Sequence, residues 1–123
     1  MEFCKKSLRK YSKRNINSVS VDEKFVKKVL RDVCLGLEVM HSKGIVHLDI
    51  KPENILESFS GRFKIADFGL TRSLMQMNED RDIPEGDCRY LAKELWNDDP
   101  FSPLPDLTKV DIFSLGMTAY ELI

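Results

Sequence analysis

No two cysteines of this 123-residue sequence are close enough in the chain to suggest a paired site. Cys4, Cys34 and Cys88 lie far apart and no C-x-x-C occurs, which argues against a zinc site and against a disulfide framework. No apolar run approaches the roughly 20 residues that span a bilayer. The N-terminal stretch MEFCKKSLRKYSKRN has no continuous apolar core, so it does not read as a signal peptide. There are no internal repeats or low-complexity tracts. Net charge is only −1, with 42% hydrophobic and 32% charged residues, ordinary values for one modest globular domain or part of a larger one. An intracellular protein with no membrane partner is expected.

The charge that is present is unevenly spread. Residues 1–64 hold 14 Lys and Arg against 8 Asp and Glu, and residues 65–123 hold 5 against 12. Two mutually attracting faces are the plain consequence. The run KKSLRKYSKR lacks the aromatic interleaving of a nucleic-acid surface, and no nucleic-acid partner is expected.

Several elements can be read from periodicity. Ser20 to Glu23 has the S-x-x-E capping-box form. Val26, Val29, Leu30, Val33, Leu37 and Met40 follow at helical spacing, and Lys43-Gly44 supplies a C-terminal stop. A helix over 22–43 is expected, with Cys34 packed on its apolar stripe. IVH at 45–47, NILE at 54–57 and FKIA at 63–66 read as short strands, with a turn at Gly61. Residues 71–90 show little periodicity and read as a long loop. LAKELW reads as a short helix, and NDDPFSPLPD as a proline-rich loop. The last segment, TKVDIFSLGMTAYELI, opens with a T-x-x-D pattern and is apolar nearly all round, the mark of a buried helix. The fold class expected is mainly α with short β hairpins (α+β).

The polar residues between these elements form a set. Asp49, Lys51 and Asn54 share one loop, and Asp67 follows a strand directly. A carboxylate can accept a hydroxyl proton. A second carboxylate and an amide oxygen can hold a hard cation such as Mg²⁺, and a lysine can neutralise a transferring phosphoryl group. Together they suit metal-assisted phosphoryl transfer. His47 reads as a half-buried structural histidine, and His41 as a surface or helix-dipole residue.

HLDIKPEN resembles the catalytic loop H-R-D-x-x-x-x-N of protein kinases, DFG follows 18 residues after its aspartate, and DIFSLG lies in a later buried helix. The resemblance implies a part of a kinase C-lobe over residues 1–123, from hinge to central helix. It implies that ATP and Mg²⁺ are bound, with Asp49 as catalytic base and Lys51 on the γ-phosphate. Asn54 and Asp67 would hold the metal, and Leu56 would form the floor of the adenine pocket. MEFC looks like the hinge, with Met1 as gatekeeper and the Glu2 carbonyl and Cys4 amide facing the nucleotide. His47 would pack on the DFG turn and Asp111 would brace the catalytic loop.

Two departures narrow the resemblance. Leu48 stands where most kinases place arginine, and EGDCRYLAKEL has Asp87 and Lys93 where many have threonine and proline. Both are similar to the Wee-type mitotic inhibitor kinases, which implies a cyclin-dependent kinase as protein substrate, phosphorylated on an inhibitory tyrosine at the G2/M transition, and a nuclear or cytoplasmic location. An Asp87–Lys51 ion pair is expected to replace the usual threonine bridge. No glycine-rich loop, strand lysine or helix glutamate precedes the hinge-like segment, so residues 1–123 alone are expected to be inactive and poorly stable. A pseudokinase-like binding fragment and a Ser/Thr kinase of the initiation-factor-2α type are the alternatives.

Overall fold

The structure, a computed structural model, describes residues 3–12, 21–96 and 101–123. Strand β1 (Cys4–Ser7) runs into a 3-10 turn at Leu8–Tyr11. Helix α1 (Glu23–Ser42) follows. Short strands β2 (Ile45–Val46), β3 (Ile55–Ser58) and β4 (Phe63–Ile65) come next, then β5 (Arg72–Ser73) and helix α2 (Leu74–Asp80). A 3-10 turn at Lys93–Trp96 precedes helix α3 (Leu107–Leu122). β1, β3 and β4 form one antiparallel sheet in that order, and β2 pairs antiparallel with β5. Helices joined to small antiparallel sheets match the expected class.

Helix α1 forms where the apolar period predicts it. Val26, Val29, Val33 and Leu37 are buried together with Leu8, Ile50, Ile55 and Phe63, and with Leu115, Ala119 and Leu122 of α3. Each such side chain contributes about 1.5–3 kcal/mol when fully buried. Its cap is Asp22, whose carboxylate accepts the Phe25 N–H at 2.8 Å. The S-x-x-E reading put the cap at Ser20, which lies outside the described residues. Asp32 projects from α1 beneath the sheet and accepts the Phe63 N–H at 3.0 Å, tying helix to hairpin.

Four further expectations are corrected. Residues 71–90 are not one loop. Arg72 and Ser73 pair with β2, and Met77 of α2 is buried. A helix of only two turns shows too little period to be seen in sequence. Cys34 is exposed, because it falls at the edge of the stripe that Val33 and Leu37 centre. The cap of α3 is Asp106, bonded to the Thr108 N–H at 3.1 Å, so Asp111 is released from capping. α3 is not buried all round: Ile112, Phe113 and Tyr120 are exposed among the described residues, since only the face carrying Val110, Ser114, Leu115 and Thr118 meets the core.

Candidate active site

β2 delivers the chain into the loop 47–54, and β3 carries it away. His47, wholly buried, organises this loop. Its Nδ1 accepts the Asp49 N–H at 3.2 Å, so the proton sits on Nε2, which donates to the Ala66 carbonyl at 3.1 Å. Its ring meets Phe68 edge-on, with centroids 5.5 Å apart. One neutral histidine thus joins the loop to the turn Asp67-Phe68-Gly69.

Asn54 makes the second join. Its amide nitrogen donates to both the carbonyl and Oδ2 of Asp49, each at 2.9 Å. Its own carbonyl accepts the Ala66 N–H at 2.8 Å. Ile55 pairs with Ile65 in the hairpin, so Asn54 and Asp67 emerge side by side from the same end of two adjacent strands. Asp67 has φ 59° and its Oδ1 accepts the Gly69 N–H at 3.2 Å. The left-handed conformation is uncommon for a residue with a side chain and is tolerated best by Asp and Asn.

The polar groups fit a hard cation. Both N–H groups of the Asn54 amide are engaged by Asp49, which leaves the Oδ1 lone pairs to face a metal, and Asp67 keeps Oδ2 without a hydrogen bond among the described residues. One carboxylate and one amide oxygen suit Mg²⁺, which keeps several waters. No cluster of three or more His, Cys, Asp or Glu forms a denser metal site among the described residues.

Lys51 Nζ lies 3.2 Å from Asp49 Oδ1 and 3.9 Å from Asp87. Asp49 is therefore held on both oxygens, with its side chain only 11% exposed. The expected Asp87–Lys51 pair forms, at 3.9 Å, but it is not the main contact of Asp87. Asp87 is bound chiefly by Arg89, at 2.9 and 2.6 Å. The Arg89 guanidinium and its backbone N–H, assisted by the charge on Lys51, hold the Asp87 carboxyl down to about 2 against the opposing effect of burial. A bidentate guanidinium outcompetes a single ammonium at longer range.

Leu48 explains itself structurally. It has φ 65°, and its side chain is buried in an apolar cluster with Val46, Met77, Ala92, Leu107 and Val110. A charged group placed there would be desolvated without a partner. Asp111, wholly buried on α3, accepts the N–H groups of His47 at 2.9 Å and Leu48 at 2.8 Å. His41 also reaches Asp111, Nε2 to Oδ2 at 2.8 Å. It is therefore a second prop of the loop as well as the basic residue in the last turn of α1, where it was expected, and nothing in the sequence signalled this pairing across 70 positions.

Of the remaining expected site residues, Cys4 is half-buried in β1 and pairs with Ser58, and Leu56 is half-buried in β3 opposite Ser7 and Lys64. Glu2 and Met1 lie outside the described residues. Residues that the sequence reading missed form a charged chain beside the loop. Arg9 contacts Glu53 at 3.3 Å, and Arg89 contacts Glu53 at 3.6 Å. Glu121 of α3 accepts from Arg9, from Ser12 at 2.6 Å and from the Tyr90 hydroxyl. Burial, and then the hydrogen bond to Glu121, push the Tyr90 hydroxyl well above its ordinary range.

Comparison with known proteins returns one family and relatives that include Wee1-like and mitosis inhibitor kinases. The family model described as protein kinase domain matches residues 1–123. A "Wee1-like protein kinase" of Arabidopsis thaliana is 40% identical over 125 residues, covering 100% of this chain and 23% of that protein. The "Mitosis inhibitor protein kinase SWE1" of Candida albicans is 43% identical over 102 residues, covering 83% of this chain and 8% of its own length. The "Mitosis inhibitor protein kinase wee1" of Schizosaccharomyces pombe is 37% identical over 122 residues, covering 98% and 13%. The chain thus spans less than a quarter of each of these relatives.

Proposed function

Because the chain belongs to the protein kinase domain family, we propose that it forms the catalytic face of a Wee-type kinase C-lobe. As part of an intact kinase it would transfer the γ-phosphate of ATP to an inhibitory tyrosine of a cyclin-dependent kinase at the G2/M transition, in the nucleus. The observation that carries this reading is the pair of hydrogen bonds that the Asn54 amide nitrogen donates to Asp49, made at the same strand end from which Asp67 emerges. It supports a single centre built from the two loops.

The roles follow from the chemistry of each group. Asp49 is placed to accept the proton of the acceptor hydroxyl as its oxygen bonds to phosphorus and the bond to ADP breaks. Lys51, beside it, neutralises negative charge developing on the phosphoryl oxygens. Asn54 Oδ1 and Asp67 are the groups that would hold Mg²⁺, which supplies charge neutralisation when bound. Leu56 supplies apolar surface under adenine, and the Glu2 carbonyl and Cys4 N–H are assigned to its edge. The relatives named as mitosis inhibitor kinases support the choice of a cell-cycle kinase as substrate.

The test uses the intact protein, Mg²⁺-ATP and a glycine-rich-loop peptide of a cyclin-dependent kinase. Asp49→Asn should lower kcat by about 10²–10⁴-fold with nucleotide affinity retained. Asp67→Asn should weaken Mg²⁺-dependent nucleotide binding itself. Equal labelling of the peptide after Tyr→Phe substitution would remove the tyrosine assignment, and unchanged turnover in Asp49→Asn would remove the centre.

A further inference from the structure

The β3–β4 hairpin has two ends. Asn54 and Ala66 stand at one, and the turn that closes it stands at the other, where the Ser58 and Arg62 backbones are bonded. Four residues of strand at about 3.3 Å each put the two ends roughly 13 Å apart. At the turn end, Arg62 meets Lys27, Lys28 and Arg31 of α1 around a cavity of about 370 Å³ whose remaining lining residue is Asp32.

The charges in this cavity do not cancel. Asp32 has a side chain only 6% exposed, and both its oxygens are engaged, one by the Phe63 N–H and one by Arg62 at 3.3 Å. Lys27 meets Glu23 at 2.5 Å, but both side chains are more than two-thirds exposed, so water screens the pair and it holds Lys27 weakly. Lys28 lies over the Phe63 ring at 5.8 Å. Arg31 makes no ion pair or hydrogen bond among the described residues. Three cations thus border a concave site with no tightly held counter-charge.

We propose that this cavity docks an acidic peptide segment of a protein partner, two or three anionic side chains entering between α1 and the hairpin turn. A peptide is favoured over nucleic acid for two reasons. No aromatic side chain in the lining is available for base stacking, and the chain as a whole carries −1, so a long polyanion gains no wide attractive field. The distance from Asn54 means a partner held here leaves the catalytic end of the hairpin clear.

The experiment is fluorescence anisotropy on the intact protein with a labelled short peptide alternating Glu and Ala. Its Gln-Ala counterpart, a single-stranded oligonucleotide and anionic vesicles serve as the other probes. The Glu peptide should bind, weaken with salt, and exceed the Gln peptide. Lys28→Glu with Arg31→Glu should weaken it about tenfold or more by like-charge repulsion, while Asp49→Asn should not change it. Both substituted residues are exposed on α1, and an unchanged melting temperature of the double variant separates lost docking from lost folding. Equal binding of the Gln peptide, binding that survives the double substitution, or tighter binding of the oligonucleotide or vesicles through the same residues would each overturn the assignment. None of these readouts depends on phosphoryl transfer, so failure here leaves the active-site reading standing.

Discussion

The carboxylate of Asp111 accepts the Leu48 N–H at 2.8 Å, and Leu48 is held there at φ 65°. That conformation costs about 1–2 kcal/mol for a residue with a side chain. It persists because Asp111 satisfies two consecutive buried N–H groups that no strand or helix pairs. Asp111→Ala should leave both orphaned, at about 1–3 kcal/mol each. Asp111→Asn should recover part of the loss, since one acceptor remains. Chemical denaturation of the three proteins checks this, and an alanine variant as stable as the parent would show that the loop is held by something else.

Gly86 controls how closely the segment before Asp87 approaches the loop 47–54. A Cβ added there would lie 2.7 Å from the Leu48 carbonyl oxygen, a backbone atom that cannot swing aside. Gly86→Ala should therefore push the two segments apart and displace Asp87 and Arg89 from Lys51 and Glu53. The expected stability loss is about 1–3 kcal/mol, with a fall in kcat larger than the fall in nucleotide affinity. Wild-type kcat in this variant would mean that the close approach has no bearing on turnover.

Much of this geometry was legible in the chain and some of it could not be. Helix α1 and the β3–β4 hairpin follow from periodicity, because their apolar residues meet one core. The loop bearing Asp49, Lys51 and Asn54 stands out because its polar residues interrupt two apolar runs. α2 was invisible, since Leu74 and Met77 are one helical repeat and no more. Leu48 read as a missing arginine and a mark of the Wee type, not as a core residue, because its burial depends on Met77, Ala92 and Val110, which are distant in sequence. The partners of Asp111 and Glu121 are likewise set by where α3 crosses the loop, and no local pattern encodes that crossing.

Asp87 gives a pH-dependent signature. Arg89 holds its folded-state pKa at about 2, below the ordinary 3.8. A depressed carboxylate contributes stability above its unfolded pKa and loses it as pH falls through the folded one. The contribution should be complete above about pH 4 and fade toward pH 2. Arg89 is 38% exposed, so solvent keeps the gain small. Asp87→Asn should flatten the fall in melting temperature over that window relative to the parent, and parallel curves would contradict the pairing.

Arg9 and Glu121 connect the segment after β1 to α3, and their coupling is measurable. The Glu121 side chain is only 8% exposed and shares its oxygens among Arg9, Ser12 and Tyr90. Arg9→Met removes one cation from a mostly buried carboxylate, so it should destabilise more than an average surface change. Glu121→Gln keeps the shape but removes the charge, leaving Arg9 to rely on Glu53 at 3.3 Å. If the pair acts as a unit, the double variant should be more stable than the two single losses added together, with an interaction energy of about 0.5–3 kcal/mol. Strict additivity would mean that Glu121 is satisfied without Arg9. In that case the charged chain running through Glu53 to Arg89 and Asp87 would end at Arg9 without reaching α3.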